Sequence, residues 1–299
     1  MSHCNSLLIA GCGDVGTRLG LRMAEQGWRV LGMRRNVAAL PTAIEPLAGD
    51  LHADACPADW PQGPLDYLVY CAAATQHDEA GYRAAYVDGL RRVLGWLAQH
   101  GQRPRRILFA SSSGVYGQQG GEWVDEDSAA EAQSFSAVIM REAERVALDS
   151  GLPATIVRLT GLYGPGREWL LSQVRGGYRV NETPPLYGNR IHVDDAAGLL
   201  ATLLQVDALL AQLRSILAQV TLAIEYVLLF VLAAGITVLL AGLQATLDER
   251  IRQGALLRAL GAERKLLISA RRAEFGLLGA AAGLLAALGC ELVSFLLYR

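Results

Sequence analysis

The chain lacks the features that mark several classes of protein. It has no polybasic tail and a formal net charge of −2, so we expect no nucleic-acid partner. Its five cysteines have neither the spacing of metal ligands nor a paired framework, which predicts reduced thiols and no metal site. No charged and apolar leader precedes the first apolar run, so we expect the N-terminal part to lie in the cytoplasm.

A second absence divides the chain. After Val206 the sequence contains no proline, tryptophan, histidine or asparagine, and leucine and alanine dominate. Before about Gln205, proline, glycine, tryptophan and histidine are scattered as in an ordinary α/β protein. This change predicts two parts of different architecture, residues 1–205 and 206–299.

The first part is organised around residues 11–16, GCGDVG, which lie between an apolar run and a segment of helical periodicity. Strand, glycine turn and helix in this order are typical of a dinucleotide-binding fold, with the pyrophosphate at the helix N-terminus. A plain glycine turn is the alternative. We predict a Rossmann-type doubly wound parallel α/β sheet, and its cofactor-binding residues begin with Gly11, Gly13, Asp14, Val15 and Gly16.

The predicted second strand, residues 28–33, ends before a basic pair. NAD-binding folds usually carry an acid here that bonds the ribose 2′-hydroxyl, whereas this chain has Arg34 and Arg35. Guanidinium groups bind phosphate well, so NADP is favoured over NAD as the cofactor. The alternative interpretation is a solvated basic turn.

Three later strands are predicted at residues 65–70, 105–110 and 154–158, which makes five in all. Small residues after the first of these, Ala72, Ala73 and Ala74, would let a cofactor lie close, although packing explains them equally well. Hydroxyls at 111–113 follow the next strand, at a position where open α/β sheets bind ligands.

Several motifs together resemble the extended short-chain dehydrogenases/reductases, the NAD-dependent epimerases and dehydratases. They are GCGDVG, GDL at 49–51, SSSGVYG at 111–117, RLTGLYGPG at 158–166 and RIHVDD at 190–195. The resemblance covers roughly residues 5–205, implies an NAD(P) cofactor and a nucleotide-sugar or other small-molecule substrate, and leads us to expect a C-terminally truncated substrate lobe. It also implies cofactor contacts from Asp50, Leu51, Ser111, Tyr163 and Gly164, and a catalytic hydroxyl at Ser112.

The acid/base pair of that family is missing at the expected place. The family carries Tyr and Lys in a YxxxK motif, and alignment on its later Glu, here Glu144, puts Ser136 and Met140 at these positions. Residues 121–140 contain no Tyr and no Lys in any register. Because losing a positioned acid/base costs roughly 10²–10⁴ in rate, we expect impaired catalysis. The candidates for a replacement are Tyr116, Tyr163 and His192.

The apolar stretches of the second part predict membrane helices. Residues 206–225 predict an amphipathic helix, and residues 226–247 are 22 residues without a charge. As a helix they span about 33 Å, against a hydrocarbon core of about 30 Å. Residues 275–298 form a second apolar stretch, and residues 248–274 carry seven basic against four acidic residues. This predicts a transmembrane hairpin with a basic cytoplasmic loop and a lipid bilayer as partner.

The run ERIRQGALLRALGA at 249–262 resembles the cytoplasmic coupling loop of FtsX-like permeases of ABC transporters. This resemblance covers roughly residues 206–299 and implies an ABC ATPase partner at the 248–274 loop. The alternative is an unrelated pair of Leu/Ala helices with a positive loop.

The two parts disagree about topology. Lys/Arg bias places residues 248–274 in the cytoplasm. Because residues 226–247 would cross the membrane once, the residues before 226 would then lie outside the cytoplasm. The first part, however, needs a cytosolic cofactor. We therefore interpret the chain as an epimerase/dehydratase-like part fused to a permease fragment, by a chimeric or mis-joined gene. The alternative is a membrane-anchored NADP-binding regulator of a transporter. If the hairpin inserts, we expect the chain at the inner (cytoplasmic) membrane.

Overall fold

The computed structural model describes residues 4–118, 120–167, 169–179, 187–261 and 263–297. The chain divides into two compact units, Met1–Gln212 and Leu213–Arg299. The predicted boundary after Gln205 therefore falls inside the first unit. The longest helix, α6 (Val193–Ala259), contributes residues to both units, which are described separately.

The first unit contains a six-stranded sheet in which every strand runs parallel to its neighbours. The strands are β1 (Ser6–Ala10), β2 (Arg29–Arg34), β3 (Glu45–Ala48), β4 (Tyr67–Tyr70), β5 (Arg106–Ser112) and β6 (Ala154–Leu159). Their order in the sheet is β3-β2-β1-β4-β5-β6, the doubly wound order whose direction reverses between β1 and β4. The predicted Rossmann-type parallel sheet is confirmed.

The prediction of five strands was wrong, because it missed β3. Among the described residues this strand pairs only with β2, at the edge of the sheet, and of its four residues only Leu47 is buried. It contains Pro46, which an edge strand tolerates because one of its sides has no ladder hydrogen bonds. Since no apolar run marks the segment, pairing with β2 is what makes it a strand.

Helices cover both faces of the sheet. Besides two short 3₁₀ turns, Val37–Ala39 and Ser113–Val115, the other elements of the first unit are α1 (Asp14–Glu25), α2 (Glu79–Tyr82), a π-helical turn (Arg83–Asp88), α3 (Gly89–Gln99), α4 (Phe135–Leu148), β7 (Gly161–Tyr163), α5 (Trp169–Arg175) and β8 (Arg190–His192). Buried side chains of α3 and α4 pack on one face, and those of α1 and the start of α6 pack on the other. Strands β7 and β8 form a separate parallel pair.

The π-helical turn lies against Tyr70. The buried Tyr70 hydroxyl donates to the carbonyl of Ala85 inside the turn, and burial raises the pKa of Tyr70, which keeps it a neutral donor. A Cβ at Gly89 would lie 2.5 Å from this hydroxyl oxygen. The wider π turn opens the backbone around the hydroxyl. Tyr86 lies within this turn, and Tyr82 directly precedes it.

The start of α6 belongs to the core of the first unit. The helix begins at Val193. Apolar side chains at helical spacing along it, among them Val193, Leu200 and Leu204, are fully buried against the sheet. Asp207 also forms an ion pair with Arg106 of β5. This helix therefore closes one face of the sheet.

The second unit contains the rest of α6 and α7 (Arg264–Leu297). The prediction of a loop over residues 248–274 was wrong, because α6 continues to Ala259 and α7 starts at Arg264. Leu, Ala and Arg are strong helix formers and dominate this stretch, so its charge did not indicate a loop. Ala262, at the end of the permease-like run, lies outside the described residues.

Two helices among the described residues are long and apolar enough to cross a membrane. They are α6 and the Arg264–Glu291 part of α7, and none of the residues in their apolar windows is buried. Tyr298, the predicted end of the second span, lies outside the described residues. Length and composition alone support these spans, and insertion into a membrane stays a prediction.

Candidate functional site

The glycine turn after β1 has the geometry of a dinucleotide-binding turn. Gly11 has a φ of 80°, and a Cβ there would lie 2.4 Å from the Cα of Ala72, so only glycine fits. A Cβ at Gly16 would lie 2.9 Å from Ile9 Cγ2, which explains how closely α1 packs on β1. At Gly13 the nearest atom would be 3.9 Å away, so this glycine leaves the turn open on its outer side.

A cavity of about 710 Å³ opens at the carboxyl ends of the strands, above this turn. Most of the predicted site residues line it: Gly11, Gly13, Asp14, Val15, Arg34, Arg35, Asp50, Leu51, Ala72, Ala73, Ser111 and Ser112. Four predicted residues are not part of its wall in the described structure, namely Gly16, Ala74, Tyr163 and Gly164. The cavity crosses the point where the strand order reverses, which is where doubly wound sheets bind ligands.

The basic end of the cavity is built by the loops after β2 and β3. The Gly49 amide donates to the carbonyl of Arg34 at 3.2 Å and joins the ends of these strands. Asp50 Oδ1 accepts from the amide of His52 at 3.0 Å, so this carboxylate shapes its own loop. Arg34 and Arg35 line the cavity at this end together with the single carboxylate of Asp50, so the local charge is positive and favours an anionic group.

At the other end of the cavity, the hydroxyls of Ser111 and Ser112 have different hydrogen-bond partners. Ser111 is buried and donates from Oγ to Glu144 Oε1 at 2.6 Å, so its hydroxyl is used within the fold. Ser112 Oγ accepts from the amide of Gly114 at 3.1 Å and keeps its hydrogen to donate. Ser112 is therefore the serine that can donate to a substrate carbonyl.

The positions of the missing acid/base pair also differ. Met140, in the second turn of α4, is 5% exposed and lines the cavity with an apolar thioether. Ser136 stands outside the described cavity wall, and its Oγ lies 3.2 Å from Ser134 Oγ. No ammonium group therefore faces Ser112 from this part of α4.

The replacement candidates named from the sequence lie apart from the cavity wall. The Tyr116 hydroxyl donates to the carbonyl of Asp125 at 2.7 Å and accepts from Arg158 at 3.0 Å. The rings of Tyr163 and His192 contact each other edge to face, with centroids 5.2 Å apart. Each of these groups is engaged in the fold, and none is part of the described wall of the cavity.

Two tyrosines that the sequence reasoning missed do line the cavity. Tyr82 directly precedes the π-helical turn and Tyr86 lies within it, four residues apart on the helical segment that follows β4. Burial raises the pKa of both, so they are neutral hydrogen-bond donors. Tyr82 Oη also lies 3.1 Å from His77 Nδ1. The signal available in the sequence was a pair of tyrosines at helical spacing in the segment that follows the strand ending at Tyr70.

Arg167 was missed as well. It follows the glycine-rich segment after β7, and its Nε donates to Asp14 Oδ2 at 2.9 Å. Asp14 begins α1, and both residues line the cavity. Partial burial raises the pKa of Asp14, but hydrogen bonds from Arg18 and Arg167 outweigh this and hold the pKa below its ordinary value. The position of an arginine directly after GPG was the only local signal.

Comparisons with known proteins agree with this geometry. Residues 7–212 match the NAD dependent epimerase/dehydratase family. Protein YeeZ of Escherichia coli K12 is 26% identical over 208 residues, which cover 66% of this chain and 72% of YeeZ. The matched part ends before the second unit, so the likeness of residues 206–299 to FtsX-like permeases stays a prediction.

Solved structures share the fold of the first unit. A candidate NAD-dependent epimerase/dehydratase from Methylobacillus flagellatus is 36% identical with a TM-score of 0.54, over 68% of this chain and 71% of that chain. WbmH of Bordetella bronchiseptica, solved in complex with NAD+, has a TM-score of 0.53 at 18% identity, over 67% of this chain and 72% of that chain.

Proposed function

This chain belongs to the NAD-dependent epimerase/dehydratase family, and we propose that it binds NADP in preference to NAD and catalyses the reaction of that family poorly. The cofactor is an NAD(P), because the family is NAD-dependent. The observation that carries the proposal is the cavity wall, with guanidiniums at one end and the Met140 thioether at the other. Its substrate would be a nucleotide sugar or another small molecule with a carbonyl or hydroxyl at the reacting carbon.

The preference for NADP rests on charge. A 2′-phosphate at the adenosine end would meet Arg34 and Arg35, whereas a plain ribose hydroxyl gains little from them. Asp50 in the same wall is engaged with the amide of His52 and lowers the positive charge without cancelling it. We therefore expect NADP to bind more tightly than NAD.

Poor catalysis follows from the proton that must move. Oxidation of a hydroxyl releases a proton, and a tyrosine, whose ordinary pKa is about 10, accepts it near neutrality only when a neighbouring cation stabilises its phenolate. Ser136 and Met140 supply neither group. Ser112 can still orient a carbonyl, so binding would survive while the rate falls by roughly 10²–10⁴.

A fluorescence titration of the full chain in detergent tests the cofactor preference. All five tryptophans precede Val206, so tryptophan fluorescence reports the first unit during titrations with NADPH and NADH. Arg34→Gln should remove the preference for NADPH. Arg29→Gln is the matched control, because Arg29 forms an ion pair with Glu45 at the surface. Tighter binding of NADH by the native chain would refute the preference.

The catalytic part is tested by restoring the pair. Ser136→Tyr with Met140→Lys should raise turnover of UDP-sugars above that of the native chain, measured by epimer formation and by transient reduction of the cofactor. Equal and robust turnover in both proteins would show that another residue is the base, with Tyr82 the first to substitute by Phe.

We also propose that the apolar part of α6 at residues 226–247 and the apolar part of α7 insert into a lipid bilayer, at the inner (cytoplasmic) membrane. The apolar windows of both helices are unburied, which supports a nonpolar environment around them. An alkaline carbonate wash of cell membranes is the test. Retention of the chain in the pellet is expected, and its release into the supernatant would contradict insertion.

The fusion interpretation and an ABC ATPase partner at residues 248–274 rest on sequence resemblance. Sequencing genomic DNA across codons 200–210 tests the fusion. A stop or frameshift there would support two mis-joined genes. An uninterrupted frame in an expressed transcript would favour the alternative, a membrane-anchored NADP-binding regulator of a transporter.

A further inference from the structure

We propose that Arg167 is an anion clamp for the pyrophosphate of the dinucleotide, and that Asp14 is its counter-ion while the cofactor is absent. The inference rests on the proposed cofactor binding and names the residues that control it. It predicts opposite effects on cofactor affinity for two residues that form one ion pair.

The ion pair bridges two sides of the cavity. Arg167 Nε lies 2.9 Å from Asp14 Oδ2, and the two side chains are 36% and 35% exposed. A turn in which the Arg167 amide donates to the carbonyl of Gly164 at 3.0 Å brings the arginine back toward α1. Residues 153 positions apart in the chain thus meet at the N-terminus of α1.

This place is the one where the proposed pyrophosphate would lie. Gly11, Gly13 and Asp14 line the cavity at the start of α1, and in the described part of the chain no side chain caps the helix at Gly13. Free amides and the helix dipole attract anions there. A pyrophosphate would bring negative charge beside the Asp14 carboxylate, so a nearby cation is needed to make the approach favourable.

Asp14 keeps a second ion-pair partner when Arg167 moves away from it. Arg18 Nε also donates to Asp14 Oδ1 at 2.8 Å, and Arg18 is held in place by Asp194 at 2.6 Å. Arg18 therefore keeps the carboxylate paired, and Arg167 is the guanidinium that can turn to the phosphates. Because guanidinium binds phosphate in a bidentate manner, this exchange favours the bound state.

The competing interpretation is a structural strap, in which the ion pair only ties the loop after β7 to α1. A strap predicts that loss of either partner loosens the loop and weakens binding alike. A clamp predicts that loss of Arg167 weakens binding, whereas loss of the Asp14 charge strengthens it.

The test measures dissociation constants of NADPH for the full chain in detergent by tryptophan fluorescence. Arg167→Gln should weaken NADPH about 10- to 100-fold, as expected for hydrogen bonds to a charged group. Asp14→Asn should tighten it about 2- to 10-fold, because a repelling charge is removed. Arg167→Lys should fall between the native chain and Arg167→Gln. Arg29→Gln is the control, because Arg29 starts β2, at the end of the strand away from the cavity, and pairs with Glu45 of β3.

A fragment separates the clamp from the rest of the site. Adenosine 2′-monophosphate has no phosphate at the 5′ position, so its affinity should be the same in the native chain and in Arg167→Gln. Native-like binding of NADPH by Arg167→Gln, or weakening by Asp14→Asn, would overturn the clamp while leaving the proposed function intact. Failure of the native chain to bind any dinucleotide would overturn both. Thermal melting of each variant checks that the fold is retained.

Discussion

The Glu144 carboxylate of α4 is clasped by Arg158 of β6, whose Nε and Nη2 donate to its two oxygens at 3.0 and 2.9 Å. Ser111 donates to the same carboxylate, and Arg158 also donates from Nη1 to the Tyr116 hydroxyl. The hydrogen bonds to Glu144 raise the pKa of Arg158, so this guanidinium stays charged. This network joins β5 and β6 to α4 near the carboxyl ends of the strands and engages Ser111, the residue before Ser112.

Breaking this pair should destabilise the first unit. In Glu144→Gln the Arg158 charge loses its counter-ion in a largely buried place, and we expect a loss of about 3 kcal/mol in the free energy of unfolding. Urea unfolding followed by tryptophan fluorescence measures it. Glu142→Gln is the matched control on the same helix, since Glu142 pairs with Arg83 near the surface and should cost less than about 1 kcal/mol. Equal effects would contradict a special role for Glu144.

The glycine turn allows a second prediction with a built-in comparison. Gly11→Ala combines a φ of 80° with a Cβ 2.4 Å from the Ala72 backbone, so it should destabilise the fold itself. Gly13→Ala meets no atom closer than 3.9 Å and should leave the fold intact. Its methyl group would nevertheless keep a pyrophosphate from the backbone. Loss of NADPH binding at unchanged thermal stability is the expected result for Gly13→Ala, and unchanged binding would contradict this placement.

Tyr67 should make the first unit sensitive to alkali. Its ring is fully buried, and burial, followed by the negative charge of Asp207, raises its pKa to about 12. A pKa raised in the folded state means that stability is fully present below the ordinary value near 10 and is lost as pH rises to about 12. Tyr67→Phe should therefore lose less stability than the native chain between these values. Melting temperatures across this range check it, and parallel curves for the two proteins would refute it.

The division of α6 between the units predicts different costs at neighbouring leucines. Leu200 is fully buried against the sheet, whereas Leu199 is 43% exposed on the same turn. Leu200→Ala should cost about 2–5 kcal/mol of the free energy of unfolding of the first unit, and Leu199→Ala only a few tenths. Tryptophan fluorescence in urea measures both. A small effect at Leu200 would mean that the start of α6 does not close the sheet.

The local sequence determined the elements whose signal is local. Apolar runs predicted β1, β2, β4, β5 and β6, and the glycine spacing predicted the turn that meets α1. The long apolar segments predicted helices in the second unit. Each of these follows from residues near one another in the chain, because strand burial, turn geometry and helix propensity act over short distances.

Tertiary structure alone decided the rest. Strand β3 exists because β2 offers it a partner, although Glu45 and Pro46 carry no strand signal of their own. Arg167 reaches the cavity because folding brings it to Asp14, 153 residues away in sequence. Tyr82 and Tyr86 join the wall because the π-helical turn fits around the Tyr70 hydroxyl. Such contacts depend on long-range pairing and packing, which no short pattern of residues encodes.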